Sequence, residues 1–360
     1  MLKHNKIVSI LFLLALTLAG NTVFSSCSQE EGTTSNSATQ RMKFRFSSDD
    51  SESGSAKAAT RGTAETKTTL SSSIGMSCYT GAWNDDASLP DFFYNEEIID
   101  PGTGTWTTSG SYFKPDTGTK RRYFAYYPYL NTDVDNLHNM TISESNQPGY
   151  PTIDYSVPDA IVDQQDLMVG NTDESAFGDK LDVVSLNLRH LLTAVRFAVG
   201  TSIPTCKVTK ITIKNVFYSG SYIYPNESWS SINDENVKTF TQQLSKQINS
   251  TDAAGTYITN DKQSFMMMPQ TVPNNATLEI IINDGQDHTL TTKLGGKVWG
   301  RAKVVTYNIS ITSLTKMTVT SDIVDWSTAD SFTGEVSDAS NVRNSGDINE
   351  WDPGKNMSNK

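Results

Sequence analysis

Large apolar side chains recur at every second position in several stretches of this chain. In "RMKFRFSS" Met42, Phe44 and Phe46 have one parity and Lys43 and Arg45 the other, which predicts a half-buried β-strand. In "ATLEIIINDG" Leu278, Ile280 and Ile282 align, Asn283, Asp284 and Gly285 supply a turn, and Leu290 and Leu294 return on a partner strand. "VVTYNISI" alternates Val305, Tyr307, Ile309 and Ile311 with Thr306, Asn308 and Ser310. In "HLLTAVRFAVG" Val195, Phe197 and Val199 share a face, and Arg196 points away. The alternation returns in "KMTVTSDIVDWS" through Met317, Val319 and Ile323. These patterns predict antiparallel sheets with a core on one side and water on the other. From Thr68 to about Lys180 shorter runs such as "IGMSCYTGAW", "RRYFAYYPYL" and "DLMVG" alternate with Gly, Pro, Asp and Asn clusters, the spacing of a sandwich or barrel.

Two polar stretches isolate the first of these strands. "SQEEGTTSNSATQ" precedes it and reads as a solvated tether, and "DDSESGSAKAATRGTAETK" follows it with almost no large apolar group. The closing "DASNVRNSGDINEWDPGKNMSNK" is also polar, with Trp351 as its odd apolar residue.

The beginning of the chain is of another kind. Lys3, His4 and Lys6 form a basic region and Ile7 to Gly20 an apolar one, the pattern of a secretory leader. The run is shorter than the roughly 20 residues needed to span a bilayer. Small residues Ser25 and Ser26 precede Cys27, so the segment resembles a bacterial lipoprotein signal, in which cleavage leaves the cysteine acylated at the new N-terminus. Several acyl chains, at about 0.8 kcal/mol per methylene, would anchor the protein stably. Gln29, Glu30 and Glu31 resemble the acidic signal that directs some lipoproteins to the outer face of the outer membrane. An ordinary secretory leader with an incidental cysteine is the alternative.

Composition narrows the function classes. Without the leader more than 300 residues remain, enough for two domains. Only 36% of residues are hydrophobic and mean hydropathy is -0.41, which with abundant Thr, Ser and Asn suits a β-rich extracellular protein. A net charge of -11 argues against a nucleic-acid partner. Cys78 and Cys206 read as two buried free thiols, although an oxidising envelope would permit a bridge if their Cα atoms came within about 7 Å.

Catalytic chemistry is hard to assemble from this inventory. His138, His190 and His288 are far apart and lack metal-ligand spacing, and His190 reads as a strand-end residue. The chain carries no GxSxG, P-loop or GxGxxG pattern. Met266, Met267 and Met268 cannot all face one way on a strand, so they read as packing residues. "DDSESGSAKAAT" begins like a calcium loop but has Thr60 where the bidentate Glu would stand. No enzyme, cofactor or metal is expected.

Taken in order, "YFAYYPY", "DLMVG", "RHLLTAVRFAVG", "FMMMPQTVPNNATLEIII", "GGKVWGRAKVVTYNISI" and "DIVDW" resemble the strand motifs of the fimbrillin family, lipoprotein-derived pilus subunits of Gram-negative bacteria. The resemblance implies an all-β fold of two tandem transthyretin-like antiparallel β-sandwich domains. The expected division is a signal peptide over 1–26, a tether over 27–41, sandwich domains over 42–180 and 181–316, and a C-terminal strand and tail over 317–360. It also implies a mechanism: an exported lipoprotein precursor, lipidated at Cys27, is cut by an arginine-specific surface protease and polymerises by donor-strand exchange into a surface fimbria with a part in adhesion. In this chain the displaced strand would carry Met42, Phe44 and Phe46, and the cut would fall between Arg61 and Gly62. Lys57 is a weaker site, and a cut at Arg41 would leave the strand in place. The donor would be the stretch holding Met317, Val319 and Ile323, through Trp326, or a segment of the tail. The implied partners are other fimbrial subunits, the protease and, through the lipid, the outer membrane. A monomeric surface lipoprotein binding glycans on Trp83, Trp106 and Trp229 is the competing expectation.

Overall fold

The computed structural model describes residues 41–48 and 70–326, except 71, 115–117, 132–138, 173–174, 177–182, 225–226, 231, 233–235 and 260–262. Strands are numbered in chain order. The alternation of Met42, Phe44 and Phe46 with Lys43 and Arg45 becomes β1 (Lys43–Ser48). It shares a sheet with β2 (Ile74–Thr80), β3 (Phe93–Ile99), β4 (Trp106–Thr108), β5 (Lys120–Tyr127), β8 (Met168–Asn171), β9 (Ser175–Ala176) and β10 (Val184–His190). Their order is β2-β3-β4-β1-β10-β8-β5-β9, and β2 also pairs with β5, so seven strands close on themselves. Met42, Phe44, Phe46, Met76, Cys78, Tyr123 and Leu186 belong to the apolar core of these strands. The small sheet β14-β13-β7-β6 contains β6 (Met140–Ile142), β7 (Thr152–Ser156), β13 (Ser219–Ile223) and β14 (Ser228–Ser230).

The remaining strands form two four-stranded sheets and a two-stranded ribbon. One sheet, in the order β16-β11-β21-β22, contains β11 (Thr193–Val199), β16 (Phe265–Met267), β21 (Lys303–Ser313) and β22 (Lys316–Asp325). The other, β15-β12-β18-β19, contains β12 (Cys206–Phe217), β15 (Val237–Ile248), β18 (Thr277–Asn283) and β19 (Asp287–Lys293). The ribbon is β17 (Gln270–Thr271) with β20 (Val298–Trp299). One core containing Phe197, Ile213, Phe240, Ile280 and Tyr307 joins both sheets. The β18–β19 hairpin turns at Asn283–Asp287, where Gly285 has φ +128. Helical structure among the described residues amounts to short 3-10 turns such as Ile161–Asp163. The protein is therefore all-β.

Two expectations are corrected. Not every pairing is antiparallel: β1 runs parallel to β10, and β11 runs parallel to β21 from Thr193↔Lys303 to Val199↔Ile309. Such neighbours are buried on both faces more often than antiparallel ones, and β11 is buried along its whole length. Arg196 accordingly does not reach water. It is 4% exposed, with its guanidinium 4.7 Å above the Tyr257 ring and its Nε donating to Thr306 Oγ1 at 2.8 Å. Cys78 and Cys206 are buried and free, in separate cores. The three consecutive methionines are buried, and His190 ends β10.

Candidate functional site

The first strand is an interior member of its sheet although no described strand next to it in sequence pairs with it. On one side it is parallel to β10, from Phe44↔Val184 to Ser48↔Leu188. On the other it is antiparallel to β4, through Lys43↔Thr107 and Phe44↔Trp106. Its start is fastened by the Met42 N–H, which donates to the Tyr112 carbonyl at 3.2 Å, and by a bridge between Arg41 and Phe113. β2, the next described strand, pairs instead with β3 and β5. β1 thus holds its place through neighbours distant in sequence, and its removal would break no hairpin.

Its inward side chains are deeply packed. Phe44 is 0% exposed, with its ring centroid 5.8 Å from that of Tyr123 in an edge-on arrangement; Phe46 meets Trp106 the same way at 5.6 Å. Burying two phenylalanines and a methionine at about 1.5–3 kcal/mol each is worth roughly 5–9 kcal/mol, a large part of the 5–15 kcal/mol that holds a typical domain together. Lys43 and Arg45 face out, and the Ser47 hydroxyl donates to Asn187 Oδ1 at 3.1 Å.

The residues expected on a donor strand lie on β22, which pairs antiparallel with β21 from Ser313↔Lys316 to Lys303↔Asp325. Burial fades along it: Met317 and Val319 are covered, whereas Ile323 is 43% exposed. Behind β22, Trp326 stacks on the His190 ring, centroids 4.4 Å apart and planes 4° from parallel. His190 Nδ1 lies 2.8 Å from Asp166 Oδ2, both side chains fully buried. Since His190 is the last residue of β10, one strand flanks β1 along its edge and meets Trp326, the residue behind β22, at its tip. Cys27, Arg61 and Gly62 lie outside the described residues.

One residue of this site escapes a reading by charge. Arg121 opens the inward series of Tyr123, Ala125 and Tyr127 on β5 and is 6% exposed. Its guanidinium carbon sits 3.4 Å from the Phe92 ring centroid. Burial pushes the neighbouring Cys78 thiol up to about 12, with Arg121 opposing that shift, and burial likewise raises the Tyr123 hydroxyl. Parity with Tyr123 is the signal that could have found Arg121 in the sequence.

The three tryptophans of the glycan expectation are engaged elsewhere. Trp106 is 9% exposed against Phe46, and Trp229 is half-buried with its Nε1 donating to the Leu191 carbonyl at 3.0 Å. Trp83 packs on Tyr79, Phe124 and Tyr150 beneath Arg122. Among the described residues no group of three or more His, Cys, Asp or Glu could hold a metal ion, and no helix is long and apolar enough to cross a membrane.

A strand lodged between sequence-distant partners completes the closed sheet of an all-β protein built around an inserted segment. The chain belongs to the fimbrillin-like family, whose model matches residues 59–326 and so begins behind β1 and ends at Trp326. A fimbrial protein from Bacteroides vulgatus has a similar structure, with a TM-score of 0.57 and 21% identity over 70% of this chain and 92% of its own. A candidate cell adhesion protein from Bacteroides ovatus has a TM-score of 0.54 and 16% identity, covering 81% of this chain and 100% of its own. At these identities the likeness shows a shared fold. No curated protein matches the chain.

Proposed function

We propose that this chain is a structural subunit of a surface fimbria that polymerises by exchanging β1 for a strand of the next subunit. The observation that carries this is the seating of β1 between β4 and β10, with only the segment 49–69 joining it to the rest. Cutting that segment once, after Arg61, separates Cys27 and β1 from everything that follows. The vacated position would then present two unpaired strand edges and an opened apolar core, which a replacement strand satisfies through main-chain hydrogen bonds and alternate side-chain pockets. Family membership supports a place among fimbrial subunits and at the cell surface.

In this scheme the precursor reaches the outer membrane as a lipoprotein acylated at Cys27, and an arginine-specific surface protease releases it. The donor is the β22 stretch of Met317, Val319 and Ile323, or a segment of the tail. The scheme keeps two sandwich domains, with their boundary expected near Lys180. The N-terminus of the protein isolated from cells tests the scheme. Assembled material should begin at Gly62 and unassembled precursor at an acylated Cys27. Assembled fibres that still contain residues 42–48 would overturn it.

A further inference from the structure

Arg121 occupies an unusual position for a cation. It is 6% exposed, and its Nε and Nη1 are buried without a hydrogen-bond partner. Among the described residues no carboxylate forms an ion pair with it. Asp91, at the same end of the sheet, accepts from the Thr80 N–H at 2.8 Å and from the Thr80 hydroxyl. Phe92, Cys78 and Tyr123 are the groups around the guanidinium, so that only neutral acceptors, a weak thiol and the Tyr123 hydroxyl, lie near it. A buried guanidinium left in this state weakens the fold that contains it.

The strand directions place this cation beside the start of β1. β10 is parallel to β1, β8 is antiparallel to β10, and β5 is antiparallel to β8, so β1 and β5 run the same way. Phe44 meets Tyr123, and two residues earlier on each strand stand Met42 and Arg121. Phe92, under the guanidinium, has its ring 5.6 Å from that of Tyr112, whose carbonyl takes the Met42 N–H. At the level of Arg121 the resident strand thus carries Met42, whose thioether is a weak acceptor.

We infer that Arg121 is the specificity-determining residue of the strand-acceptor site: it selects an incoming strand with a carboxylate at the level of Met42 and apolar side chains at the levels of Phe44 and Phe46. This rests on the reading of β1 as the exchangeable strand and adds the chemistry of its successor, which in the β22 stretch favours the register Asp322, Val324 and Trp326 over that of Met317, Val319 and Ile323. The resident strand leaves Arg121 unanswered, an acidic successor answers it, and exchange runs toward the second state. A charge-assisted hydrogen bond in a desolvated place favours the acidic strand by about tenfold or more in affinity.

The test uses the chain cut after Arg61 and three synthetic peptides: residues 41–48 as they stand, and the same peptide with Met42→Glu or Met42→Gln. Displacement of a fluorescent 41–48 peptide reads the affinities. The Glu peptide should bind about tenfold tighter than the Gln peptide, and the ratio should fall to near one in Arg121→Met. A ratio near one in the unaltered protein, or one that Arg121→Met leaves unchanged, overturns the inference. If no peptide enters the cut protein, strand exchange itself fails. Melting of the uncut chain then decides the role of Arg121: Met42→Glu should lower Tm clearly less than Met42→Gln with Arg121 present and no less with Arg121→Met. Equal losses in both backgrounds overturn the selectivity.

Discussion

Truncating Phe44 to alanine separates a strand that belongs to the core from one that merely lies on it. Phe44 is fully buried, edge-on to Tyr123 and stacked at 6.4 Å on Phe46. Replacing it removes most of an aromatic ring from a space walled by β10, β4 and β5, strands fastened on their other edges and poorly able to collapse inward. Phe→Ala changes in such cores destabilise by about 3–5 kcal/mol. For a protein of this size that is a fall in Tm of roughly 6–20 °C, at about 2–4 °C per kcal/mol. Calorimetry and urea unfolding of the uncut variant measure it. A second measurement tests whether Phe44 departs with β1: once the chain is cut after Arg61 and a donor strand is seated, Phe44→Ala and the parent should be equally stable. A loss below about 1 kcal/mol in the uncut chain, the size expected of an exposed position, would show that β1 is not part of the core. A loss that persists after exchange would refute strand replacement.

Other outcomes follow from the same geometry. Arg61→Ala should abolish the oligomer ladder formed with an arginine-specific protease and leave the uncut melting temperature unchanged, as gel electrophoresis and calorimetry would show. Trp326→Ala removes the ring stacked on His190 and should destabilise the chain by about 3–5 kcal/mol, with hydrogen exchange fastest along β22. The Cys78 thiol has a folded pKa near 12 against an ordinary value of 9.0, so the folded state retains a proton that the unfolded state loses. Stability from this group is full below pH 9 and is lost between pH 9 and 12, and Cys78→Ala should flatten that part of the alkaline unfolding curve. At neutral pH the same thiol should resist alkylation until the protein unfolds.

Much of the fold was legible because a period of two marks a strand with one wet face. β1, β18 and β21 carry that pattern, and the turn at Asn283–Asp287 follows from its residue types. The pattern fails where both faces are covered: Arg196 has the parity of a solvent-facing residue, but Thr306 and Tyr257 close over it. It is also silent on pairing, since alternation is the same whether a neighbour runs parallel or antiparallel, and so the β1–β10 and β11–β21 pairings were not visible. At the candidate site Met42, Phe44 and Phe46 could be read directly from the chain. Arg121 could not, because its charge argues for water while its register with Tyr123 argues for the interior, and only the closure of the sheet through β2 and β5 decides between them.

Under the proposed exchange, that closure would govern when self-association through the first sheet begins. An open sheet would offer a templating edge at any concentration, whereas a ring completed by its own first strand offers none at its seven main strands. Under the proposed exchange, such subunits would accumulate in a crowded compartment as monomers, and growth would start only where and when a peptide bond is hydrolysed. Because that hydrolysis is irreversible, the direction of assembly would then be set by a covalent event and not by mass action.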